Sequence, residues 1–265
     1  MGEPGFLTSA QVATSFVQWG LQKASLSTTK TFVLALLAGV YIGFGAHLAT
    51  VVGTGECDYY GLKRLLVGGA FSVGLMLVVI PGAELFTGNN LLSVGLCAGR
   101  VCWRALLRNW LIVYVGNLLG SIVLAVIIGW GSGLLDGEVG ATALTIAAAK
   151  TSSGAVGGVS HDVAFFFRGI GCNWLVCLAV MMAVASRDIV SKMISCLFPI
   201  MAFVASSFEH CVANMYFIPA GIFAKALPRA VELSGLTPAE LAGINWSTMW
   251  TQNLISVTLG NIVAG

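Results

Sequence analysis

The sequence predicts an all-α integral membrane protein whose six transmembrane helices form two inverted three-helix repeats, with the second and fifth helices interrupted. Three observations predict this fold class. They are the composition, two polar interruptions inside the longest apolar stretches, and motifs that recur at fixed offsets.

The composition indicates a membrane protein. Of 265 residues, 57% are hydrophobic and only 9% are charged, and the mean hydropathy is +0.92. A soluble domain carries about 25% charged residues, so too few charges are present to cover a water-facing surface. The net charge of +2 and the absence of a basic run give no indication of nucleic-acid binding. The 33 glycines favour close helix packing and tolerated helix breaks within a bilayer.

Apolar stretches of about 20 residues or more can cross a bilayer. The predicted spans are residues 30–53, 62–99, 107–131, 163–186, 189–224 and 247–265. The predicted organisation is an amphipathic N-terminal helix (1–28), a first repeat (29–131), a linker loop (132–162) and a second repeat (163–265). The N-terminal helix is expected to lie on the membrane surface or to pack against a neighbouring subunit, and it does not resemble a signal peptide. The chain ends soon after Asn261, so a short sixth span is expected.

The second and fifth spans are too long for one simple crossing, and each contains a polar interruption. Residues 81–89 read PGAELFTGN, and residues 206–214 read SSFEHCVAN. Both contain a glutamate followed five residues later by an asparagine, and the two motifs lie 125 residues apart. Irregular backbone persists at membrane depth only where protein buries it or where it lines a cavity, so these interruptions indicate a permeation site.

The third and sixth spans share a second motif. An Asn, a Gly and an Asn at 109, 116 and 117 recur at 253, 260 and 261, each offset by 144. Two motif pairs in the same order indicate a duplication. Because each half has three spans, the second half must enter the membrane with inverted topology, which is a transport architecture.

The densest positive loop carries Arg100, Arg104 and Arg108 and is expected to be cytoplasmic. This orientation places both termini in the cytoplasm and predicts a multi-pass protein of the cell inner (plasma) membrane.

The candidate functional residues lie at the interruptions. His210 can donate a hydrogen bond to an anion or hand it a proton, and Thr87 in the other interruption offers a hydroxyl donor. The alternative for His210 is a structural bond to a carbonyl that the break leaves free. Glu84 and Glu209 are interpreted as helix-end ties that satisfy loop amides.

Lys150 admits two interpretations on sequence alone. It is either a surface charge with an extended stem or a cation at a pore mouth that attracts anions. His47 and His161 have no ligand-spaced partners and are interpreted as structural, so no metal or other cofactor is predicted. Periodicity alone assigns Phe71, Leu75, Phe86, Val176 and Phe203 to the core.

Four segments, taken together, resemble the formate/nitrite transporter family across nearly the whole chain. They are ELFTGN at 84–89, GCNWLVC at 171–177, FEHCVANM at 208–215 and the Gly-Asn pair at 260–261. The resemblance implies an aquaporin-like six-helix protomer in a homopentamer with one pore per subunit. It also implies conduction of small monovalent anions such as formate, nitrite, hydrosulfide or short monocarboxylates.

The resemblance also assigns roles to individual residues. Thr87 and His210 correspond to the central pair, Asn173 and Glu209 to supporting polar residues, and Lys150 to the loop lysine. Asn261 joins this predicted substrate-pore set through the Gly-Asn motif. The implied constrictions are Leu75, Phe86 and Val176 on the cytoplasmic side, with Phe71 and Phe203 on the periplasmic side.

Magnitudes favour crossing in a neutral form. Moving a bare carboxylate into a low-dielectric interior costs several kcal/mol even after relaxation. Protonating a carboxylate of pKa about 3.9 at pH 7 costs only about 4 kcal/mol. We therefore predict that the anion moves together with a proton, either as the acid or in a proton-sharing complex with His210. The resemblance favours formate as the anion.

Two other classes are alternatives. An aquaporin-type channel for neutral solutes normally carries two Asn-Pro-Ala motifs, which this sequence lacks. A membrane enzyme needs a cluster of His, Cys or carboxylate side chains at ligand spacing, which the sequence does not offer, so no enzymatic activity is predicted.

Overall fold

The computed structural model describes residues 5–265, and these are helical apart from loops and one short hairpin. The helices are α1 (Ser9–Ser25), α2 (Thr28–Gly53), α3 (Tyr60–Val79), α4 (Phe86–Asn89), α5 (Leu92–Cys97), α6 (Trp103–Val126), α7 (Glu138–Thr151), α8 (His161–Ala185), α9 (Ile189–Ala205), α10 (Cys211–Ala224), α11 (Pro228–Ser234), α12 (Pro238–Gly243), α13 (Trp246–Met249) and α14 (Ile255–Ala264). Strands β1 (Ala155–Val156) and β2 (Val159–Ser160) pair antiparallel before α8. Short π-helical segments, Ile127–Gly131 and Trp250–Leu254, extend α6 and join α13 to α14.

Several of these helices have the length and apolarity of membrane spans. Four qualify individually: α2, α3, α8, and α6 together with its π-helical extension. The bent pair α10 and α11 qualifies when taken together, and α9 is a shorter apolar helix. The described residues therefore have the helical, apolar character that the sequence predicts.

Both predicted interruptions are present. Helix α3 ends at Val79, and the chain turns through Gly82 before α4 begins at Phe86. Helix α9 ends at Ala205, and the chain turns before α10 begins at Cys211. The helix that follows each break, α4 or α10, is largely buried in the fold.

The N-terminal helix packs one face on the body of its own chain, and its place on the membrane surface or against a neighbouring subunit stays a prediction. A capping box at Thr8 starts α1, since the Thr8 and Gln11 side chains accept from each other's backbone N–H. Its apolar face buries Val12 and Phe16 in a cluster that includes Val180 of α8. Residues 1–4 of the predicted 1–28 segment lie outside the described residues.

The segment 132–162, predicted as a loop, contains helix α7 and the β1–β2 hairpin. Its small residues suit a helix pressed against another helix, because a Cβ on Gly221 of α10 would lie 2.3 Å from the Cβ of Ala147. Small residues in a long connection resemble a loop on sequence alone, whereas here they permit close helix contact. The boundaries of the two repeats stay a prediction.

Close glycine contacts hold the long helices together in both halves. A Cβ on Gly120 of α6 would lie 2.0 Å from the Leu36 carbonyl oxygen of α2. A Cβ on Gly260 of α14 would lie 2.1 Å from the Phe166 carbonyl oxygen of α8. These backbone-to-backbone contacts are typical of small-residue packing in membranes.

Candidate functional site

The two breaks bring Thr87 and His210 into contact. Thr87 lies in the first turn of α4, and His210 is the N-cap residue of α10. The Thr87 Oγ1 atom lies 2.8 Å from His210 Nε2, and both residues are buried. The pair expected from the sequence thus forms one polar centre in the structure.

The bonding pattern fixes the tautomer of His210. Its Nδ1 accepts a hydrogen bond from the Ala213 backbone N–H at 3.0 Å, so Nδ1 carries no proton. A neutral imidazole must then carry its proton on Nε2, which donates to Thr87 Oγ1. The hydroxyl proton of Thr87 is left to donate to a different acceptor.

Two cavities lie beside this centre. The Lys23 cavity has a volume of about 620 Å³ and is lined by Lys23, Glu84, Leu75 and other residues. The Lys150 cavity has a volume of about 280 Å³, and its lining includes Lys150, Glu209, His210, Phe71 and Phe203.

Each cavity contains a largely buried lysine–glutamate pair. The Lys150 Nζ atom lies 2.8 and 3.0 Å from the two carboxylate oxygens of Glu209. The Lys23 Nζ atom donates to Glu84 Oε1 at 2.5 Å. The side chains of Lys150 and Lys23 are only 15% and 8% exposed, so the surface-charge interpretation of Lys150 is wrong.

Each glutamate also binds the asparagine that follows it by five residues. The Asn89 amide donates to Glu84 Oε2, and the Asn214 amide donates to Glu209 Oε2, both at 2.7 Å. The interpretation of these glutamates as ties for loop amides is therefore corrected, because their carboxylates accept from lysine and asparagine side chains. A buried carboxylate needs such charged and polar partners to offset its desolvation.

A second asparagine extends each network. Asn89 Nδ2 donates to Asn109 Oδ1 at 2.9 Å, and Asn214 Nδ2 donates to Asn253 Oδ1 at 2.7 Å. Asn253 Nδ2 in turn donates to the Lys150 carbonyl at 3.1 Å. The motifs that recur at offsets of 125 and 144 thus meet as two equivalent networks.

The first break is held by Asn117. Its Oδ1 accepts from the Phe86 N–H at 2.9 Å. Its Nδ2 donates to the carbonyls of Ala35 and Glu84 at 2.7 and 2.9 Å. One amide side chain therefore ties α6 to α2 and to the end of the break that leads into α4.

Asn261 holds the second break in the same way. Its Oδ1 accepts from the Cys211 N–H at 3.0 Å, and its Nδ2 donates to the carbonyls of Gly169 and Glu209 at 2.8 and 3.0 Å. Asn173 Nδ2 donates to the Asn261 carbonyl at 2.8 Å and to a second asparagine, Asn90, at 2.9 Å. Asn173 and Asn261 are absent from the lining of both cavities, and their amides instead bind the backbone and side chains around the second break.

The predicted constriction residues are buried on either side of the centre. The Phe71 and Phe203 rings are 5.7 Å apart, and Phe203 stacks on the His210 ring at 5.9 Å. Leu75 lines the Lys23 cavity. Phe86 and Val176 are buried but line neither cavity, and Phe86 packs edge to face on Tyr114 at 4.9 Å.

Sequence reasoning missed the role of Lys23. The signal that could have indicated it is the repeated motif, in which Glu84 matches Glu209, so that a cation is expected beside each carboxylate. Burial lowers the pKa of the Lys23 ammonium, and the Glu84 carboxylate opposes that shift. Among the described residues, no group of three or more His, Cys, Asp or Glu side chains could hold a metal ion.

Comparison with known proteins identifies the family. The family model described as formate/nitrite transporter matches residues 10–265. The chain belongs to the formate/nitrite transporter family. This is a family of transporters rather than enzymes.

Relatives of this transporter chain cover most of its length. It is 45% identical over 256 residues to a protein of Methanothermobacter thermautotrophicus named "Probable formate transporter". The alignment covers 92% of this chain and 86% of that protein. It is 38% identical over 267 residues to the formate channel FocA of Escherichia coli (strain K12), and that alignment covers 98% of this chain and 90% of FocA.

Solved structures agree with this membership. A pentameric formate channel with formate bound superposes with a TM-score of 0.77 at 38% identity, covering 89% of this chain and 92% of that one. An ion channel of the same family superposes with a TM-score of 0.78 at 29% identity, covering 96% of this chain and 94% of that one. The fold is therefore that of a membrane channel.

Substituting Asn117 tests whether one side chain holds the first break. Asn117→Ala leaves the buried Phe86 N–H and the Glu84 carbonyl without this partner, and each unsatisfied group costs about 1–3 kcal/mol. We expect a clearly lowered thermal unfolding midpoint in detergent. Ser121→Ala on the same helix is the matched control, since it removes only one hydroxyl donor, to the Gly39 carbonyl at 3.2 Å. Equal losses in the two variants would contradict the assignment.

Proposed function

We propose that this protein is a membrane channel for small monovalent anions, with formate as its substrate and a proton moving alongside the anion. The observation that carries the proposal is the buried Thr87–His210 pair, which adjoins a lysine-bearing cavity and apolar side chains. The names of its relatives and the formate in the related pentamer support formate as substrate. Nitrite, hydrosulfide and short monocarboxylates share the same size and charge and are the alternatives.

The geometry favours an anion that is protonated before it reaches His210. Nδ1 is occupied as an acceptor, and releasing the Nε2 proton would leave an imidazolate. His210 therefore has no proton to give, and the anion takes its proton from hydronium in the aqueous solution before it enters. Thr87 then donates a hydrogen bond from its hydroxyl to an oxygen of the passing acid. Of the two neutral routes expected from the sequence, this favours the free acid over a proton-sharing complex.

The lysines draw the anion toward this centre. Lys150 and Lys23 each stand at the wall of a cavity, where a fixed positive charge raises the local concentration of anions. The paired glutamate moderates that attraction, which suits conduction because a site that binds too tightly does not release its ion.

We further propose that six spans form two inverted repeats of aquaporin-like arrangement. Positions equivalent by sequence offset touch each other only near a two-fold axis. Ser72 Oγ donates to the carbonyl of Leu197, 125 residues on, at 3.1 Å. The Tyr114 hydroxyl lies 3.0 Å from Thr258 Oγ1, 144 residues on. Both contacts support a pseudo-two-fold axis that relates the halves.

The assembly we propose is a homopentamer in the plasma membrane with both termini cytoplasmic. The pentameric relative supports the subunit number, and the Arg100–Arg108 loop supports the orientation. Exposed apolar side chains such as Leu111 and Trp130, 68% and 80% exposed in the isolated chain, suit lipid or subunit contacts. No catalytic activity, cofactor or nucleic-acid partner forms part of the proposal.

Flux into proteoliposomes tests the proposed substrate and its proton. We expect formate uptake to rise about tenfold for each unit by which the external pH is lowered, because the acid fraction rises tenfold per pH unit well above the pKa of formic acid. Nitrite and hydrosulfide serve as competing substrates, and protein-free liposomes correct for passive leak of the acid. A bare-anion current indifferent to the proton gradient would contradict the proposal, and glycerol flux without anion flux would favour a neutral-solute channel.

Removing the Thr87 hydroxyl tests the central pair. Thr87→Ala deletes the donor to the passing acid, and one hydrogen bond worth about 1.4 kcal/mol corresponds to about tenfold in formate flux. Thr87→Ser keeps the hydroxyl and is expected to retain most of the wild-type flux. If both variants lose the same flux, the hydroxyl is not the group that matters.

Lys150→Leu tests the attraction of anions into its cavity. We expect formate uptake to fall about tenfold at low ionic strength, and less at high salt, because screening already weakens the attraction in the wild type. The pore is not expected to admit larger solutes. Lys150→Arg retains the charge and Lys63→Leu removes a lysine outside both cavities, so both should conduct nearly normally. Unchanged uptake in Lys150→Leu would remove Lys150 from the mechanism.

A further inference from the structure

The two helix breaks differ at one equivalent position. In the first break the chain turns at Gly82, with φ of 85°, which glycine adopts freely. The position 125 residues later is Ser207, with φ of 61°. Ser207 is the one non-glycine residue with positive φ among residues 5–265, and a side chain in this region is sterically strained. The second break therefore needs an additional contact to hold its turn.

Arg64 supplies that contact. Its Nη2 donates to Ser207 Oγ and to the Val204 carbonyl, both at 2.6 Å, and its Nε donates to the Ala205 carbonyl at 3.1 Å. Carbonyls in the last turn of a helix have no partner within the helix. A planar guanidinium can bind several fixed acceptors at once, which a lysine ammonium on a flexible stem does less well.

The contact joins the two helices that carry the aromatic constriction. Arg64 lies on α3, seven residues before Phe71, and it holds the end of α9 just after Phe203. The Phe71 and Phe203 rings meet at 5.7 Å, and Phe203 stacks on His210 at 5.9 Å. Arg64 is thus placed to fix both the gap between the rings and the position of the histidine.

We propose that Arg64 is a positioning residue that, through the strained Ser207 turn, sets the width of the Phe71–Phe203 constriction and hence the size of anion that passes. This inference rests on the proposed function. The competing explanation is that Arg64, which lines the Lys150 cavity, attracts anions by its charge alone. The two explanations predict different results for two substitutions. If charge alone matters, Arg64→Lys should behave like the wild type. If the strained turn matters, Ser207→Gly should restore the selectivity that an Arg64 variant loses.

The experiment measures initial uptake of formate and of acetate, which is larger by a methyl group, by pentamers in proteoliposomes. The variants are Arg64→Lys, Arg64→Gln, Ser207→Gly and the double variant Arg64→Gln/Ser207→Gly. Arg168→Gln is the charge control, since Arg168 lines the same cavity but its guanidinium packs over the Phe165 ring at 5.4 Å. The acetate-to-formate ratio does not depend on the amount of active protein, so a loss of folded pentamer alone leaves it unchanged.

We expect both single Arg64 variants to raise the acetate-to-formate ratio by about tenfold, the discrimination that one methyl group carries in a tight apolar site. The half-saturating formate concentration should change much less. Ser207→Gly alone should resemble the wild type, and in the double variant it should restore most of the selectivity. Arg168→Gln should leave the ratio unchanged.

Several results would overturn the inference. One is an Arg64→Lys variant that matches the wild type while Arg64→Gln only raises the half-saturating concentration. Another is a ratio defect in Arg64→Gln that Ser207→Gly does not relieve. If Arg64→Gln does not assemble, Arg64→Lys with and without Ser207→Gly decides the question. A wild-type protein that passes no anion would refute the proposed function instead, and the thermal unfolding midpoints of the same double-mutant cycle would still measure the Arg64–Ser207 coupling.

Discussion

The architecture depends on satisfying the backbone at the two helix breaks that bring Thr87 and His210 together. In hydrocarbon, each unpaired N–H or carbonyl costs several kcal/mol, so a break persists only where other groups replace the lost helical bonds. Asn117 and Asn261 do this with one amide each, accepting from the first N–H after the break and donating to carbonyls on two sides. The positions of Thr87 and His210 follow, because each lies within one residue of a backbone group that these amides hold.

The two lysine–glutamate networks likewise offset the cost of burying polar and charged groups. A buried ammonium alone is prohibitively costly, and a buried carboxylate likewise, but a pair with an added amide donor offsets much of both costs. Lys150 and Lys23 are therefore paired with Glu209 and Glu84, and both lysines line the cavities. A balanced pair attracts an anion without trapping it, which is the compromise that conduction requires.

The sequence predicted those features that depend on residues close together in the chain. Apolar length and the repeated Glu–Asn motif predicted the two breaks, and the family motifs added the Thr87–His210 contact. The pattern did not reveal the pairing of Lys23 with Glu84, because the partners are 61 residues apart and no periodicity links them. Helix α7 was missed because alanine and glycine indicate close packing only once the neighbouring helix is known. Lys150 was ambiguous for the same reason, since its partner Glu209 lies beyond α8 and α9.

The equivalence of the halves does not make the two sides of the channel alike. The Lys23 cavity is more than twice as large as the Lys150 cavity, and an aromatic pair lines only the smaller of the two. At the turn beside that pair, an unstrained glycine in the first half is replaced by a strained serine bound to an arginine. The proposed discrimination by size is therefore assigned to the smaller Lys150 cavity, where the Phe71 and Phe203 rings lie 5.7 Å apart. The wider Lys23 side is suited to collecting and releasing the anion.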